Sequence, residues 1–337
     1  IFDADMEWDI GTPWYRPTRI CHVVGGSDYG WRSGNGKWRD YYVDSLPSTV
    51  DVGPGSPTGI VFGRGAKFPP RYQQALFAAD WSYGNIFAVH LTPEGASYRG
   101  EVEAFASAQP LAVTDMVVNP RDGALYFAVG GRKTASALYR IVWDGVSGSR
   151  STTIAREAST ESEPGSASQD RQRESRGAVE ARSLRRKLEM LHGRRGSDNA
   201  LDVVWNHLDH ADRYVRHAAR VALEHQSTSR WMRRALEESN PVTRIAALAG
   251  LARVGDGVDP VAWCEALIGI EADGLSRAGQ LDLLRTAALG VMRLGPLATE
   301  QRRGLLAQFD PLVPDSTPCR RRETRDRIAR VGRVAAP

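Results

Sequence analysis

The chain has 337 residues, of which 42% are apolar and 25% are charged, fractions typical of folded globular proteins. It has no run of about 18 apolar residues, so no transmembrane segment is predicted. The formal net charge is +4, whereas residues 318–337 alone hold seven arginines against two acidic residues, so the rest of the chain is close to neutral. Because the basic charge is confined to this end, nucleic-acid binding is not expected.

The first 146 residues are rich in predicted strands. Residues 56–91 and 111–143 share one pattern of three short apolar strands, separated by turns that contain Gly, Pro, Asn and Asp. Repeats of this size are typical of the blades of a β-propeller, and an unrelated antiparallel sheet is the alternative. The sequence therefore predicts the C-terminal blades of a partial propeller over residues 1–146.

The remaining residues are predicted to be helical after a linker. Residues 147–177 are dense in polar residues, which predicts a disordered linker. From residue 178 to 310 the apolar residues follow a helical period, as at Leu184, Leu188 and Leu191, and a Val-Arg-Ala-Leu pattern recurs, which is typical of HEAT-like repeats. Residues 311–337 are predicted to be an irregular basic tail. The predicted fold class is thus a multidomain chain with a partial all-β propeller followed by an all-α HEAT-like solenoid.

Three short motifs follow one another along the first part of the chain: Gly25-Gly26 with Tyr29-Gly30-Trp31, the SPTG of residues 56–59, and the RDGALY of residues 121–126. Over residues 1–309 their order resembles that of bacterial membrane-bound dehydrogenase-like proteins. In this family a propeller of the quinoprotein sugar or sorbosone dehydrogenase type precedes HEAT repeats and a cytochrome c domain. Because the chain begins at Ile1 and lacks the cytochrome c domain, we interpret it as a fragment.

The resemblance implies an exported or periplasmic sugar or alcohol dehydrogenase, although no signal peptide is visible in the sequence. Its cofactors would be pyrroloquinoline quinone (PQQ) and Ca²⁺, and a cytochrome c domain or protein would accept the electrons. Two arginines of the family face the quinone carboxylates, but the corresponding positions here are Ala112 and Thr114. The remaining candidates for cofactor binding are Arg16, Arg19, Asp115 and Arg132.

Other polar residues are candidates for a metal site. Asp3, Asp5, Glu7 and Asp9 alternate along the chain, so in an extended segment they share one face, and such oxygen clusters suit Ca²⁺. The alternative interpretation is a solvated acidic edge that blocks strand pairing. The sequence has no CxxCH motif, so no covalent haem is predicted.

Three further residues are candidates for catalysis or substrate binding. His22 is a candidate base, and the alternative is a hydrogen-bonded packing residue. Asp80 and Trp81 directly follow a predicted strand and are candidates for substrate binding, although an aromatic residue at such a position is more often part of the core.

Two functions remain open at this point. The first is a fragment of an exported quinoprotein-like sugar or alcohol dehydrogenase, inactive as cut. The second is a non-catalytic module that binds carbohydrate or protein partners. The absence of arginine at positions 112 and 114 favours the second function, whereas the acidic residues near the start of the chain favour the first.

Overall fold

The structure is a computed structural model, and it describes residues 2–5, 17–30, 38–131, 134–145, 167–193, 198–295 and 297–310. Contacts divide the chain into two compact units. The sheet unit consists of Ile1–Val23, Gly30–Lys37 and Ser48–Glu180. The helical unit consists of Val24–Tyr29, Trp38–Pro47 and Ala181–Pro337.

The described part of the sheet unit contains three antiparallel sheets. The first sheet consists of β1 (Phe2–Asp5), β2 (Thr18–His22) and β3 (Val50–Gly53). The second consists of β4 (Pro57–Phe62), β5 (Leu76–Asp80), β6 (Asn85–Glu94) and β7 (Ser97–Ser107), with the short helix α1 (Pro70–Gln73) between β4 and β5. The third consists of β8 (Val113–Val118), β9 (Leu125–Gly131) and β10 (Thr134–Ile141). Each sheet keeps its strands in chain order.

Strand β5 lies at the centre of the sheet unit, because all five of its residues are buried. Side chains alternate between the two faces of a strand, so its apolar residues divide between two cores. Phe77 packs into a cluster with Leu125 of β9, whereas Leu76 packs into a second cluster with Ile20 of β2. The second sheet is therefore covered on both faces.

Eight helices follow α1 in the described part of the chain. They are α2 (Ala167–Glu189), α3 (Asp198–Trp205), α4 (Arg213–Glu224), α5 (Met232–Glu237), α6 (Pro241–Val254), α7 (Pro260–Ile268), α8 (Arg277–Arg293) and α9 (Thr299–Phe309). Helix α2 begins within the range that the sequence assigns to a linker. Several helices begin at capping side chains: Asp212, Asn240, Asp259 and Ser276 each accept a hydrogen bond from a backbone N–H of the first turn.

Helix α6 is the centre of the helical unit and packs against both α4 and α8. Trp263 of α7 is fully buried, and its Nε1 donates a hydrogen bond of 2.9 Å to the carbonyl oxygen of Leu248. A Cβ atom at Gly290 of α8 would lie 2.2 Å from the Trp263 ring, so the residue at position 290 must be glycine for the ring to fit.

The predicted fold class, a partial all-β propeller followed by an all-α HEAT-like solenoid, is wrong. The described residues form three small separate sheets without a closed ring, and with the helices they give a mixed α/β fold. Alternating apolar residues indicate strands, but they do not specify how sheets are arranged. In a regular solenoid each repeat contacts only its neighbours. Here the helices after α1 vary from six residues in α5 to 23 in α2, and two segments from the first fifty residues belong to the helical unit.

The substitution Phe77→Ala is expected to lower the free energy of unfolding by about 3–5 kcal/mol, because a fully buried aromatic ring leaves a cavity. The ring lies 4.8 Å from that of Phe105 and 6.0 Å from that of Phe68, centroid to centroid. Urea denaturation measures the change. Tyr83→Ala is the control, because 45% of Tyr83 is exposed. Equal losses for the two variants would contradict this description of the core.

Candidate functional site

Residues Trp38–Pro47 of the helical unit form two successive turns, and we call them the docked segment. The N–H of Tyr42 donates to the carbonyl oxygen of Arg39, and the N–H of Ser45 donates to that of Tyr42, both over 3.0 Å. The turns present three consecutive residues to the interior: Asp44, Ser45 and Leu46 are at most 1% exposed.

Asp44 is held by a bidentate pair with Arg285 of α8. Oδ1 of Asp44 accepts from Nε of Arg285, and Oδ2 accepts from Nη2, each over 2.8 Å. The guanidinium of Arg285 also lies 4.1 Å from the ring centroid of Tyr42 and 5.1 Å from that of Trp38. A planar guanidinium can form both contacts at once, because its edge donates hydrogen bonds while its face stacks on aromatic rings.

Further arginines surround this pair. Nη1 of Arg253 lies 3.7 Å from Oδ2 of Asp44, and its Nε donates to Glu224 over 2.9 Å. Glu224 also pairs with Arg220, which is only 1% exposed. Burial raises the pKa of Asp44, but the hydrogen bonds and charge of Arg285, with the charges of Arg220 and Arg253, outweigh burial and lower that pKa. The carboxylate is therefore ionised at neutral pH.

Residues of α4 bind the backbone of the docked segment. Nη2 of Arg213 donates to the carbonyl oxygens of Tyr42 and Ser45, and the hydroxyl of Tyr214 donates to that of Pro47 over 3.1 Å. Buried carbonyl groups need such donors, because an unpaired polar group in the interior is costly. The helices thus recognise both the side chain of Asp44 and the main chain around it.

The Gly25-Gly26 motif has a packing role within the helical unit. A Cβ atom at Gly25 would lie 2.8 Å from Nδ1 of His192, and one at Gly26 would lie 2.7 Å from the side chain of Val221. Gly26 also has a φ angle of +71°, which glycine adopts most readily. Close packing therefore explains why glycine occupies both positions.

A second carboxylate of the helical unit, Asp282, lies in a contrasting environment. Together with Arg213 and Arg216 it lines a cavity of about 30 Å³, enough for about one water molecule. Burial raises the pKa of Asp282, and the charges of Arg213 and Arg216 offset this only in part. The two carboxylates thus have opposite shifts of pKa.

The predicted substrate pair, Asp80 and Trp81, forms hydrogen bonds within the sheet unit. The carboxylate of Asp80 accepts from the N–H groups of Ser56, Ser82 and Tyr83 over 2.7, 3.1 and 3.0 Å. Nε1 of Trp81 donates to the carbonyl oxygen of Gly130 over 2.8 Å. These contacts hold the loop around β5 and use much of the hydrogen-bonding capacity of both side chains.

The other described site residues of the sheet unit lie on two different sheets: His22 and Arg19 on β2, and Asp115 on β8. Nδ1 of His22 lies 2.9 Å from the hydroxyl of Ser97, and its ring contacts Tyr98 edge to face. Arg19 is buried on β2. Asp115 is exposed on β8, and its Oδ1 accepts from the N–H of Met116 over 2.8 Å.

The remaining predicted site residues lie outside the described side chains. They are Arg16, Arg132 and the acidic set Asp3, Asp5, Glu7 and Asp9. Among the described residues no group of three or more His, Cys, Asp and Glu side chains could hold a metal ion. In the same part of the chain no helix is both long and apolar enough to cross a membrane.

Sequence analysis did not identify two ionic clusters that lie within the described part of the chain. In the sheet unit, Glu103 accepts from the hydroxyl of Tyr72 over 2.7 Å and pairs with His90 and Arg71. In the helical unit, the available signal is Arg220, a charged residue within the apolar run of α4. A buried arginine needs an anionic partner, and this requirement could have indicated the cluster around Asp44.

Comparisons with known proteins give no family for this chain. No family model matches it, and no curated protein matches it. A solved chain with a partial likeness is a provisionally assigned oxidoreductase (glucose dehydrogenase) from Thermus thermophilus. The identity is 20%, the TM-score is 0.33, and the match covers 41% of this chain and 40% of that one. This coarse likeness to a dehydrogenase carries no argument about substrate or cofactor.

We expect Asp44→Asn to lower the free energy of unfolding by about 3–5 kcal/mol at pH 7, because it leaves buried arginines without their counter-charge. The matched control is Asp282→Asn, which removes a carboxylate whose pKa is raised by burial. This control should leave stability unchanged or increase it. Urea denaturation of both variants measures the difference, and equal effects would contradict the roles given to the two carboxylates.

The stabilisation that Asp44 provides should depend on pH. The pKa of Asp44 is lower in the folded state than its value of about 3.9 in the unfolded state. The contribution of Asp44 to stability is therefore fully present above the unfolded-state pKa and is lost as pH falls through the folded-state pKa. The difference in unfolding free energy between the wild type and Asp44→Asn should therefore be constant between pH 7 and pH 5. It should decrease as the pH is lowered below about 4. A difference that stays constant at lower pH would show that ionisation of Asp44 is not responsible.

Proposed function

We propose that this protein is a non-catalytic binding module, and that its helical unit recognises chain segments carrying a carboxylate next to aromatic residues. The docked segment, which belongs to the same chain, is an example of such a segment and occupies the site. The observation that carries the proposal is the fully buried carboxylate of Asp44, bound by both edge nitrogens of Arg285 at 2.8 Å.

The ionic contacts of Asp44 favour a role in recognition rather than a role in stability alone. Well-packed apolar residues can often replace a buried ion pair without loss of stability. A bidentate arginine, however, donates two hydrogen bonds to a carboxylate that must have one particular orientation, so it distinguishes one chain segment from another. Arg213 adds to this selectivity because it donates to two carbonyl oxygens whose positions depend on the turn at Tyr42. The partner class that these contacts fit is a peptide.

The described residues do not fit a PQQ site. A tricarboxylate needs several cations that converge on one open space, whereas Arg19 is buried on β2 and positions 112 and 114 carry no charge. Asp80 binds backbone N–H groups. We therefore propose no dehydrogenase step for this chain, and a calorimetric titration of PQQ with Ca²⁺ should give no heat of binding.

A peptide added in trans tests the proposal. In the wild-type chain the docked segment occupies its site at the high effective concentration of an intramolecular ligand, so a labelled peptide of residues 38–47 should bind poorly. In Asp44→Ala the resident segment loses its carboxylate, and the same peptide should bind at least about tenfold more tightly, since 1.4 kcal/mol of lost competition suffices. Fluorescence anisotropy measures both affinities.

Two controls make the peptide experiment specific. A peptide with asparagine in place of Asp44, and with Asp40 unchanged, should not bind the Asp44→Ala chain, and the intact peptide should not bind the Arg285→Ala chain. Circular dichroism confirms that each variant remains folded. Equal binding of the two peptides would show that the carboxylate is not recognised, and the proposed function would then fail.

A further inference from the structure

The cavity beside Asp282 in the helical unit is lined by more positive than negative charge. Helix α4 contributes the guanidinium groups of Arg213, Arg216 and Arg220, and α8 contributes the carboxylate of Asp282. Arg220 already pairs with Glu224, so two guanidinium groups remain against one carboxylate. Among the described residues, no other acidic side chain lines this cavity. The lining therefore carries a net positive charge.

The other residues that line the cavity do not change this charge. Burial lowers the pKa of His217 well below its usual value, and the charges of Arg220 and Arg253 lower it further, so this imidazole is neutral. Nδ1 of His217 accepts a hydrogen bond from Nη2 of Arg220 over 3.2 Å, as a neutral imidazole can. The docked segment contributes Val43, and α6 contributes only apolar side chains.

The three arginines also have N–H groups to which the described residues offer no acceptor. Nε of Arg220 is buried and forms no hydrogen bond with these residues. Within the same part of the chain, Arg213 donates only through Nη2, to the docked segment, and Arg216 donates only through Nη1, to the carbonyl oxygens of His210 and Ala211. A buried donor without an acceptor is costly, and hydrogen bonds to an anion are the strongest that such a donor forms.

The size of the cavity limits the anion that fits. Its volume is about 30 Å³, whereas a cavity needs only about 10–15 Å³ to hold a water molecule. A monatomic anion such as chloride is slightly larger than water and fits this space, but the four oxygen atoms of a phosphate do not. Arg216 and Asp282 are both partly exposed, so an ion can reach the cavity from solvent.

We propose that this cavity binds one small monovalent anion of the size of chloride among the guanidinium groups of α4. The anion balances the net positive charge of the lining and accepts hydrogen bonds from Arg213, Arg216 and Arg220. The carboxylate of Asp282 opposes its binding, because two negative charges in one small cavity repel each other. The proposal does not depend on peptide recognition, since the carboxylate that defines that function, Asp44, does not line the cavity.

Chloride titration of the full chain at pH 7 tests the proposal. Sodium gluconate keeps the ionic strength constant, so the screening of surface charges does not change. The linewidth of the chloride-35 NMR signal measures binding, because a bound ion relaxes faster than a free one. Arg216→Gln should weaken chloride binding at least about tenfold, the equivalent of 1.4 kcal/mol. Asp282→Asn should strengthen it at least about fivefold, because the competing carboxylate is removed.

The same two substitutions at exposed positions are the matched controls. The side chain of Arg233 on α5 is 88% exposed and that of Asp202 on α3 is 63% exposed. Arg233→Gln and Asp202→Asn should leave chloride binding unchanged, and circular dichroism confirms that each variant is folded. Equal effects of Arg216→Gln and Arg233→Gln would overturn the proposal, as would weaker binding by Asp282→Asn.

Anomalous diffraction from crystals of the unmodified chain soaked in bromide gives a second measurement that does not depend on variants folding. Bromide replaces chloride at most halide sites, and its anomalous signal identifies its position. One peak should lie in the cavity, within hydrogen-bond distance of Arg216 or Arg220. A cavity that holds only water, while bromide binds elsewhere on the protein, would overturn the proposal.

Discussion

The pairing of Asp44 with Arg285 is the constraint on which the position of the docked segment depends. A carboxylate that is 0% exposed must be paired, since an isolated buried charge is very costly. Arg285 meets this requirement from α8, while Arg253 and Glu224 extend the network to α6 and α4. Asp44 therefore pairs directly with α8 and α6, and Arg253 links it to α4 through Glu224. The stacking of Arg285 on Tyr42 and the hydrogen bonds of Arg213 follow from this position of the chain.

In the sheet unit, by contrast, polar side chains form hydrogen bonds with the backbone of the loops. Strand β5 ends at Asp80 and β6 begins at Asn85, so the chain turns tightly between them, and the Asp80 carboxylate accepts hydrogen bonds from two N–H groups of that turn. Trp81 closes the same region against Gly130 and Gly131, where a Cβ atom at position 131 would lie 2.6 Å from the indole. Buried acidic and aromatic residues beside a strand are thus explained without a ligand.

Local signals in the sequence predicted the individual elements better than their arrangement. The turn before β9 depends on residues close together in the chain, and it lies between two strands, as the sequence indicates. The start of α6 at Asn240 and Pro241 is likewise a local feature, because the Asn240 side chain accepts hydrogen bonds from the first turn of the helix. The prediction of a propeller is wrong, because the alternation of apolar and polar residues does not specify how sheets pack together. The Asp44–Arg285 pair was missed because its partners are 241 positions apart and no local pattern links them. From sequence alone, a loop-anchoring Asp80 also looks the same as a ligand-binding one.

Amide hydrogen exchange of the docked segment in the intact chain tests the central claim most directly. The N–H of Ser45, bonded to Tyr42 in a fully buried turn, should exchange about as slowly as the core amides of α6. In Arg285→Met, which keeps the length of the side chain but removes its charge, this protection should be lost while that of α6 persists. Rapid exchange of Ser45 in the wild type would show that the segment is not held by the helices, and the account would be contradicted.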